Sequence, residues 1–561
     1  MRRLIGTLTV ALLCTAAAAP VISPAGQGPP PPLASVRSGR WSDPAIWQGG
    51  RVPAEGAAVV IAAGTRVEYD IASGRELASL DVHGTLLFSR SRSTRLDTGN
   101  VIVRNRGVLE MGTPDRPIPS SVTAEIRLVV PAGTTFQGGD FAPGDVGIWI
   151  FEGGRWDVAG APIRHTWTKL ARPVGPGDLA VVVRADVTDW SAGATVLVTP
   201  TGRSPEAADF EERTVEGVRR LPKGLYEVRL RSALARAHDG GGHFSGEIAL
   251  LSRNARILSK YPDRVKAHTM YMAGANGGIS YAELRDLGAR GVLGRYPVHF
   301  HMMGDTSRGM VLRGASIWRS DNHFLNIHGS SGITVEDTVG YDVPGAGFFL
   351  EAASGRSGGQ ESLRSTQDKR VRREEERERR ASESRRKGEE PFGNVDNIFI
   401  HNLGAKAVWR PGALEERTRV SLFWIGAFNT ILIDNVAVGA VGGRDFSGFH
   451  LAENADHSLS RLPLAMVGNE AHSNGAHGLF SWTNSKLAFD IVGFSAWRNG
   501  RSGVALGAYN HRFRLFNAAL SENGLHNVGT WVIRPWIQDS VLQASPVGIF
   551  FYPREVPGSP E

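Results

Sequence analysis

Thiols are all but missing from this chain: one cysteine, Cys14, stands among 561 residues. It lies in an N-terminal stretch that reads as an export signal. The mature protein is therefore expected to hold no thiol, which excludes disulfides and cysteine catalysis. Long apolar runs are missing too. Leu4 to Leu13 is too short to span a bilayer comfortably and no later segment is long enough, so no transmembrane segment is expected in the mature chain. Sustained helical periodicity is scarce, which turns the reading toward β structure. A strongly basic surface is also absent, despite a formal charge of +7. Arg2 and Arg3 belong to the signal, and the segment from Ser354 to Pro391 holds twelve Lys/Arg against nine Asp/Glu. About +2 remains for the folded part, too little to steer a polyanion. No basic stripe is interleaved with aromatics, so nucleic acid is not an expected partner.

What is present divides the chain. Arg2 and Arg3, the apolar run behind them and Ala16 to Ala19 mark residues 1–19 as a cleavable signal peptide, implying a secreted, periplasmic or cell-surface protein. Residues 20–34, with Pro29 to Pro32, form an extended linker. Over 35–152, short runs such as Val59-Val60-Ile61 and Leu86-Leu87-Phe88 alternate like half-buried strands between glycine turns. Residues 153–245 read as a second, barrel-like β module whose polar residues are expected at turns. From 246 to 545 the chain repeats itself. "HSNGAHGLF", "WRNGRSGVAL" and "SENGLHNVGTW" share an Asn-Gly turn, and Gly475, Gly500 and Gly524 are 25 and 24 residues apart. One such unit cannot bury its apolar face alone, but stacked units can, as a parallel β-helix. The charged stretch 354–391 reads as a solvated insertion in that repeat, and 546–561 as a C-terminal tail. The expected fold is all-β: a glycine-rich β domain and a β-barrel-like module, followed by a right-handed parallel β-helix.

The densest polar cluster is "GVLGRYPVHFHMMGD", Gly291 to Asp305. Strand alternation sends Tyr296, Val298, Phe300 and Met302 to one face and Pro297, His299 and His301 to the other, with Arg295 and Asp305 flanking. His328 follows His301 by 27 residues and Glu351 follows His328 by 23, near the repeat length. Rungs stack about 4.8 Å apart, so His301, His328 and Glu351 are expected to form one column. Such a column suits a metal of unspecified identity, or an acid and a base across a glycosidic bond. His268 is a candidate earlier member. A purely structural polar ladder is the other reading, and it is the favoured one for His472, His477 and His526 at their Asn-Gly turns. Trp424 is read either as a sugar-stacking platform or as a buried aromatic.

Two stretches carry a family resemblance. "GRWSDPAIWQGGRVPAEGAAVVIAAGTRVEYD", Gly39 to Asp70, with Trp41 and Trp47 and the Gly-Gly-x-x-Pro that follows, resembles the G-eight domain of the cell-migration-inducing hyaluronidase family and of fibrocystin. "ISYAELRDLGARGVLGRYPVHFHMMGD" and "SIWRSDNHFLNIHGSSGITVEDTVGYDVPGAGFFLE" look like that hyaluronidase family's β-helix, the matching residues being His299, His301, Asp305, His328, Gly329 and Glu351. The resemblance implies an exported polysaccharide-active protein, an endo-acting glycosidase on hyaluronan-like acidic glycans, with Ca²⁺ as the associated cofactor. Hydrolysis is favoured over lyase elimination. Glu351 or Asp305 would be the general acid, His299 or His301 the base or a metal ligand, Arg295 the partner of a uronate and Trp424 a substrate contact. The alternative from another class is a non-catalytic carbohydrate-binding or adhesive surface protein. The insertion after Glu351 departs from the family pattern, and the short signal and cysteine-free mature chain suggest a bacterial version whose polymer need not be hyaluronan.

Overall fold

The computed structural model describes residues 31–203, 205–206, 209–351, 395–414, 420–426, 429–441, 446–451, 465–481, 489–507, 513–531 and 535–552. The expected signal peptide and the charged insertion lie outside the described residues.

The described chain winds into a right-handed parallel β-helix with three ladders. One ladder holds fourteen parallel strands, from Gly39–Arg40 to Trp536–Gln538. A second runs through Ala255–Ser259, Val339–Val343, Val436–Val441 and Ser495–Trp497. The third, which carries the site, runs through Gly147–Ile150, His268–Tyr271, Val298–Gly304, Leu325–Ser330, Phe348–Leu350, Ser421–Ile425 and Ser447–Leu451. Near the N-terminus the long strand Thr94–Val103 pairs with members of both the second and third ladders. The glycine-rich unit is thus the first set of rungs of the same solenoid, its ladders continuing without a break past residue 152. Val547–Phe551, in the segment expected to be a tail, adds a further rung to the third ladder.

From Gly314 onward each described rung turns from the first ladder to the second through one left-handed residue. Gly314, Asp337, His401, Asp434, Gly468, Gly493, Asn517 and Asp539 occupy that corner with φ between 49° and 66°. Gly, Asn and Asp are the residue types that bear such φ most readily. Just inside several corners an asparagine row runs along the solenoid. Asn402, Asn435 and Asn469 each accept on Oδ1 from the backbone or side chain of the rung before, and Asn474, Asn499 and Asn523 repeat the device. The Asn of each Asn-Gly repeat is therefore a buried ladder residue. Inside, aromatics in register stack where they meet: Tyr271 on Phe300 at 5.3 Å in one file, and Phe348 on Phe423 at 4.9 Å and Phe423 on Phe449 at 4.8 Å in the neighbouring file.

At the N-terminal end Trp41 and Trp47 meet edge to face at 4.7 Å, and the Trp47 indole donates to the Trp41 carbonyl. Both are buried against Tyr69 and close the first rung.

The barrel-like module is an antiparallel six-stranded sheet over Trp167–Lys169, Ala180–Val183, Thr195–Val198, Glu211–Leu221, Leu225–Leu230 and Glu247–Leu250. It has its own apolar core around Val181, Val196, Val215 and Val228. Its outer residues Trp167, Leu197, Phe210 and Leu251 pack on Tyr341, Leu403, Val436 and Val438 of the second ladder. Polar residues were expected at its turns, yet Lys169 and Glu247 lie in strands. The Lys169 ammonium is 2.5 Å from Glu247 and 2.7 Å from Glu470, while His472 approaches Glu247 at 3.2 Å. Burial pushes the Glu247 carboxyl up, but Lys169 and His472 outweigh it and hold it well below the ordinary range. The network pins module to solenoid, and sequence reading missed it because Lys169 and Glu470 are 301 residues apart.

Replacing Asn499 by Ala removes Oδ1, which accepts from the Asn474 backbone and side chain, and Nδ2, which donates to the Ala471 carbonyl. Each buried group so stranded costs about 1–3 kcal/mol, and the urea midpoint of Asn499→Ala is expected to fall accordingly. Stability should also fall in mild acid. Burial, with Arg501 and His526 nearby, holds the His477 pKa down to about 3 in the fold. The unfolded chain then binds the extra proton between about pH 6.5 and the folded value. This contribution is complete above that range and is lost as pH drops through it, by up to about 1.4 kcal/mol per pH unit, as urea melts at pH 7.5 and 5.5 would show.

Candidate functional site

The strand Val298–Gly304 alternates as its sequence suggests through Phe300: Val298 and Phe300 are in the core, His299 and His301 on the other side. A register shift between His301 and Gly304 then changes the parity. Met302 takes a left-handed φ of 50° and Met303 enters the core in its place. Tyr296 is likewise not an interior residue of this ladder. It stacks flat on His323 at 4.8 Å and meets the edge of His299 at 4.9 Å.

Register brings the histidines together. His301 pairs with His328 across neighbouring strands, and their Nδ1 atoms are 3.3 Å apart. Glu351 follows on the next rung, its Oε2 lying 3.8 Å from His328 Nδ1. His299 sits beside them, its ring centroid 4.9 Å from that of His301 and 6.4 Å from that of His328. One ring nitrogen from each of the three imidazoles lies within 4.8 Å of the others. His299 is buried, with Nδ1 against the Gly294 carbonyl at 3.1 Å and no hydrogen-bond partner for Nε2 among the described residues. Asn326, in register with His299 on the next rung, also keeps its Oδ1 without a partner among them. Burial drives the His299 pKa far below the usual imidazole value, and the neighbouring imidazoles add to this. Burial lowers that of His301 as well, against the opposing pull of Asp140. Both rings are therefore neutral at physiological pH.

Asp140 was not foreseen. Its Oδ1 meets His301 Nε2 at 2.8 Å from a loop 161 residues earlier in the chain. That loop runs between the strands Ala124–Leu128 and Gly147–Ile150, and Arg295 organises it. The Arg295 Nε donates to Asp145 at 2.7 Å, and its two terminal nitrogens donate to the carbonyls of Gly139 and Asp140 at 2.6 and 2.8 Å. Asp145 in turn accepts from the backbone of Gln137 and Gly138. The Arg295–Asp145 pair is fully buried, with the guanidinium 4.7 Å from the Trp149 ring. Gly294, at φ +83°, belongs to the same clasp, because a Cβ there would lie 2.8 Å from the Gly139 carbonyl oxygen.

Several expectations change. Arg295 is not available to a uronate: it is buried and committed to Asp145 and the loop carbonyls. Asp305 stands outside the histidine group on a short 3-10 turn, with its carboxylate paired to Arg308 at 2.8 Å. Trp424 is 6% exposed, sandwiched between Phe349 at 5.6 Å and His450 at 4.1 Å, so it is a rung of a buried stack rather than an open platform. His268 lies against Trp149, away from the column. No short-range signal marks Asp140. Its role follows from Arg295, whose partner lies 150 residues away.

Two groups of described residues have metal-ligand geometry. The first, Glu247, Glu470 and His472, already has the Lys169 ammonium among its carboxylates, and that charge stands where a cation would sit. The second is the His299, His301 and His328 trio. Its nitrogen donors do not fit Ca²⁺, which takes six to eight oxygen ligands.

Trp424→Ala should lower the unfolding free energy by about 3–5 kcal/mol, as loss of a buried aromatic does, read from urea melts of the two proteins. A platform role would instead leave the melt near that of the parent and weaken glycan binding.

Residues 46–171 match the model of the G8 domain and residues 264–359 that of the CEMIP beta-helix. Fibrocystin-L of Homo sapiens is 26% identical over 362 residues, which cover 55% of this chain and 8% of that protein. Communication mutant protein F of Dictyostelium discoideum is 26% identical over 503 residues, covering 82% of this chain and 40% of the relative. The chain thus spans well under two thirds of either relative. Among solved structures, the periplasmic alginate epimerase AlgG aligns over 86% of this chain and 76% of its own, at 8% identity and a TM-score of 0.36. Asp140 and its loop lie within the G8 match, and the three histidines and Glu351 within the CEMIP match. The chain carries a G8 domain and a CEMIP-type β-helix, the combination its sequence resembles.

Proposed function

We propose that the protein is an exported enzyme that shortens an acidic polysaccharide by hydrolysis within the chain. The observation that supports this most is the column His301, His328 and Glu351 on successive rungs, with Asp140 brought onto it from the G8 loop. Imidazoles and two carboxyl groups converge on a ladder where Phe349 and Trp424, outward on the following rungs, are packed aromatics. The match to a CEMIP beta-helix and the resemblance to polymer-cleaving hyaluronidases support a glycan as the substrate.

In this reading a glycan strand lies along the third ladder, across its rungs. Glu351 gives its proton to the glycosidic oxygen as the bond breaks. Water attacks from the imidazole side, toward which His301 presents Nδ1 because Asp140 holds Nε2. Asp140 keeps His301 in that tautomer and orientation. Arg295 acts through Asp140 as a positioning residue and does not touch the polymer.

Size-exclusion profiles of high-molecular-weight hyaluronan and a panel of other acidic glycans test the proposal, with absorbance of unsaturated uronate followed in parallel. Chain shortening without that absorbance is expected, with Glu351→Gln slower by about 10²–10⁴-fold and melting like the parent. Shortening with the absorbance would replace hydrolysis by elimination. Binding by folded protein without shortening would replace catalysis by recognition.

A further inference from the structure

His299, His301 and His328 share a geometry that acid–base chemistry alone does not require. The Nδ1 atoms of His301 and His328 are 3.3 Å apart. Two nitrogens bound to one tetrahedral ion at 2.0–2.1 Å stand about 3.3–3.4 Å from each other. The third nitrogen lies within 4.8 Å of the other two, so the His299 ring has at most about 1.5 Å to close to meet the same distance.

In two of the three, the other ring nitrogen is occupied in the way metal ligands require. His299 has Nδ1 on the Gly294 carbonyl, leaving Nε2 buried and unpartnered among the described residues. His301 has Nε2 on the Asp140 carboxylate, leaving Nδ1 facing His328. A histidine ligand usually gives its second N–H to a carbonyl or a carboxylate, and this trio shows one of each.

We infer that His299, His301 and His328 bind one divalent first-row transition ion of the Zn²⁺ type, with water completing the coordination and Asp140 holding His301 in place. Imidazole nitrogen is the donor such ions prefer. An ion here would lower the pKa of a bound water and supply nucleophile to the imidazole side of the proposed reaction. The inference concerns what the histidines hold and stands whether or not the polymer has been named correctly.

The test uses the full-length exported protein, stripped with chelator and checked for its melt, then titrated with Co²⁺ and Zn²⁺. One Co²⁺ per chain with the intense visible absorption of a tetrahedral site is expected, displaced by Zn²⁺ and untouched by Ca²⁺. His301→Gln and His328→Gln should abolish the signal, and Asp140→Asn should weaken affinity about 10–100-fold. Folded parent protein that takes up neither ion, or a folded His301→Gln/His328→Gln protein that still binds one Co²⁺ per chain, overturns the inference. Should the variants fail to fold, X-ray absorption of the Zn²⁺-loaded parent decides it. Imidazole scattering supports the site, and a shell of oxygen alone refutes it. None of these readings depends on polymer cleavage, so failure of the proposed reaction and failure of the metal site are separable.

Discussion

Parallel register is the constraint on which the remainder of this structure rests. Successive strands bond rung to rung, so a residue at one place in a rung lies over its equivalent in the next at about 4.8 Å. The consequence inside is two neighbouring files, one through Tyr271, Phe300, Ile327 and Leu350 and the other through Val298, Leu325, Phe348, Phe423 and Phe449. At the corners the consequence is the asparagine row, which satisfies backbone groups that three-sided winding would otherwise bury unpaired. On the outer side of the third ladder it sets His328 beside His301 and Glu351 beside His328. A shift of one residue in any of these strands would send the imidazoles into the core and phenyl rings to the outside.

A single solenoid face, however, does not make the site. The loop that delivers Asp140 belongs to the G8 match, and the arginine that shapes it belongs to the CEMIP match. Arg295 replaces water around two carbonyls and one carboxylate in a place fully closed to solvent. Isolating a charge there without its partner is far costlier than any surface pair. The presence of the two domains in one chain thus has a physical reason: neither set of residues alone holds His301 Nε2 against a carboxylate.

The sequence made the fold legible because its signals are local and periodic. Asn474, Asn499 and Asn523 recur with their glycines, and alternation in Val298 to Phe300 separates core from site. The spacing of His301, His328 and Glu351 by near-repeat lengths was enough to stack them, since register is the one long-range relation a repeat displays. What stayed hidden is what repeats do not carry. Arg295 and Asp305 flank the histidines in sequence, yet one turns into a buried clasp and the other onto the surface. Trp424 has the composition of a sugar platform, and only packing shows that Phe349 and His450 cover its faces. Asp140 and the Lys169–Glu247–Glu470 network join residues more than seventy positions apart without a periodic relation, so no spacing announces them.

The central claim is that loop and solenoid close into one unit through the buried pair of Arg295 and Asp145. A double-mutant cycle on unfolding free energy measures it most directly, using Arg295→Met, Asp145→Leu and the two combined. The account predicts that each single change costs about 3–5 kcal/mol, because each strands a buried charge. The double change should cost less than their sum by at least about 1 kcal/mol. Strict additivity, with small single effects, would mean that the two charges do not meet and that the loop is not held over the histidines.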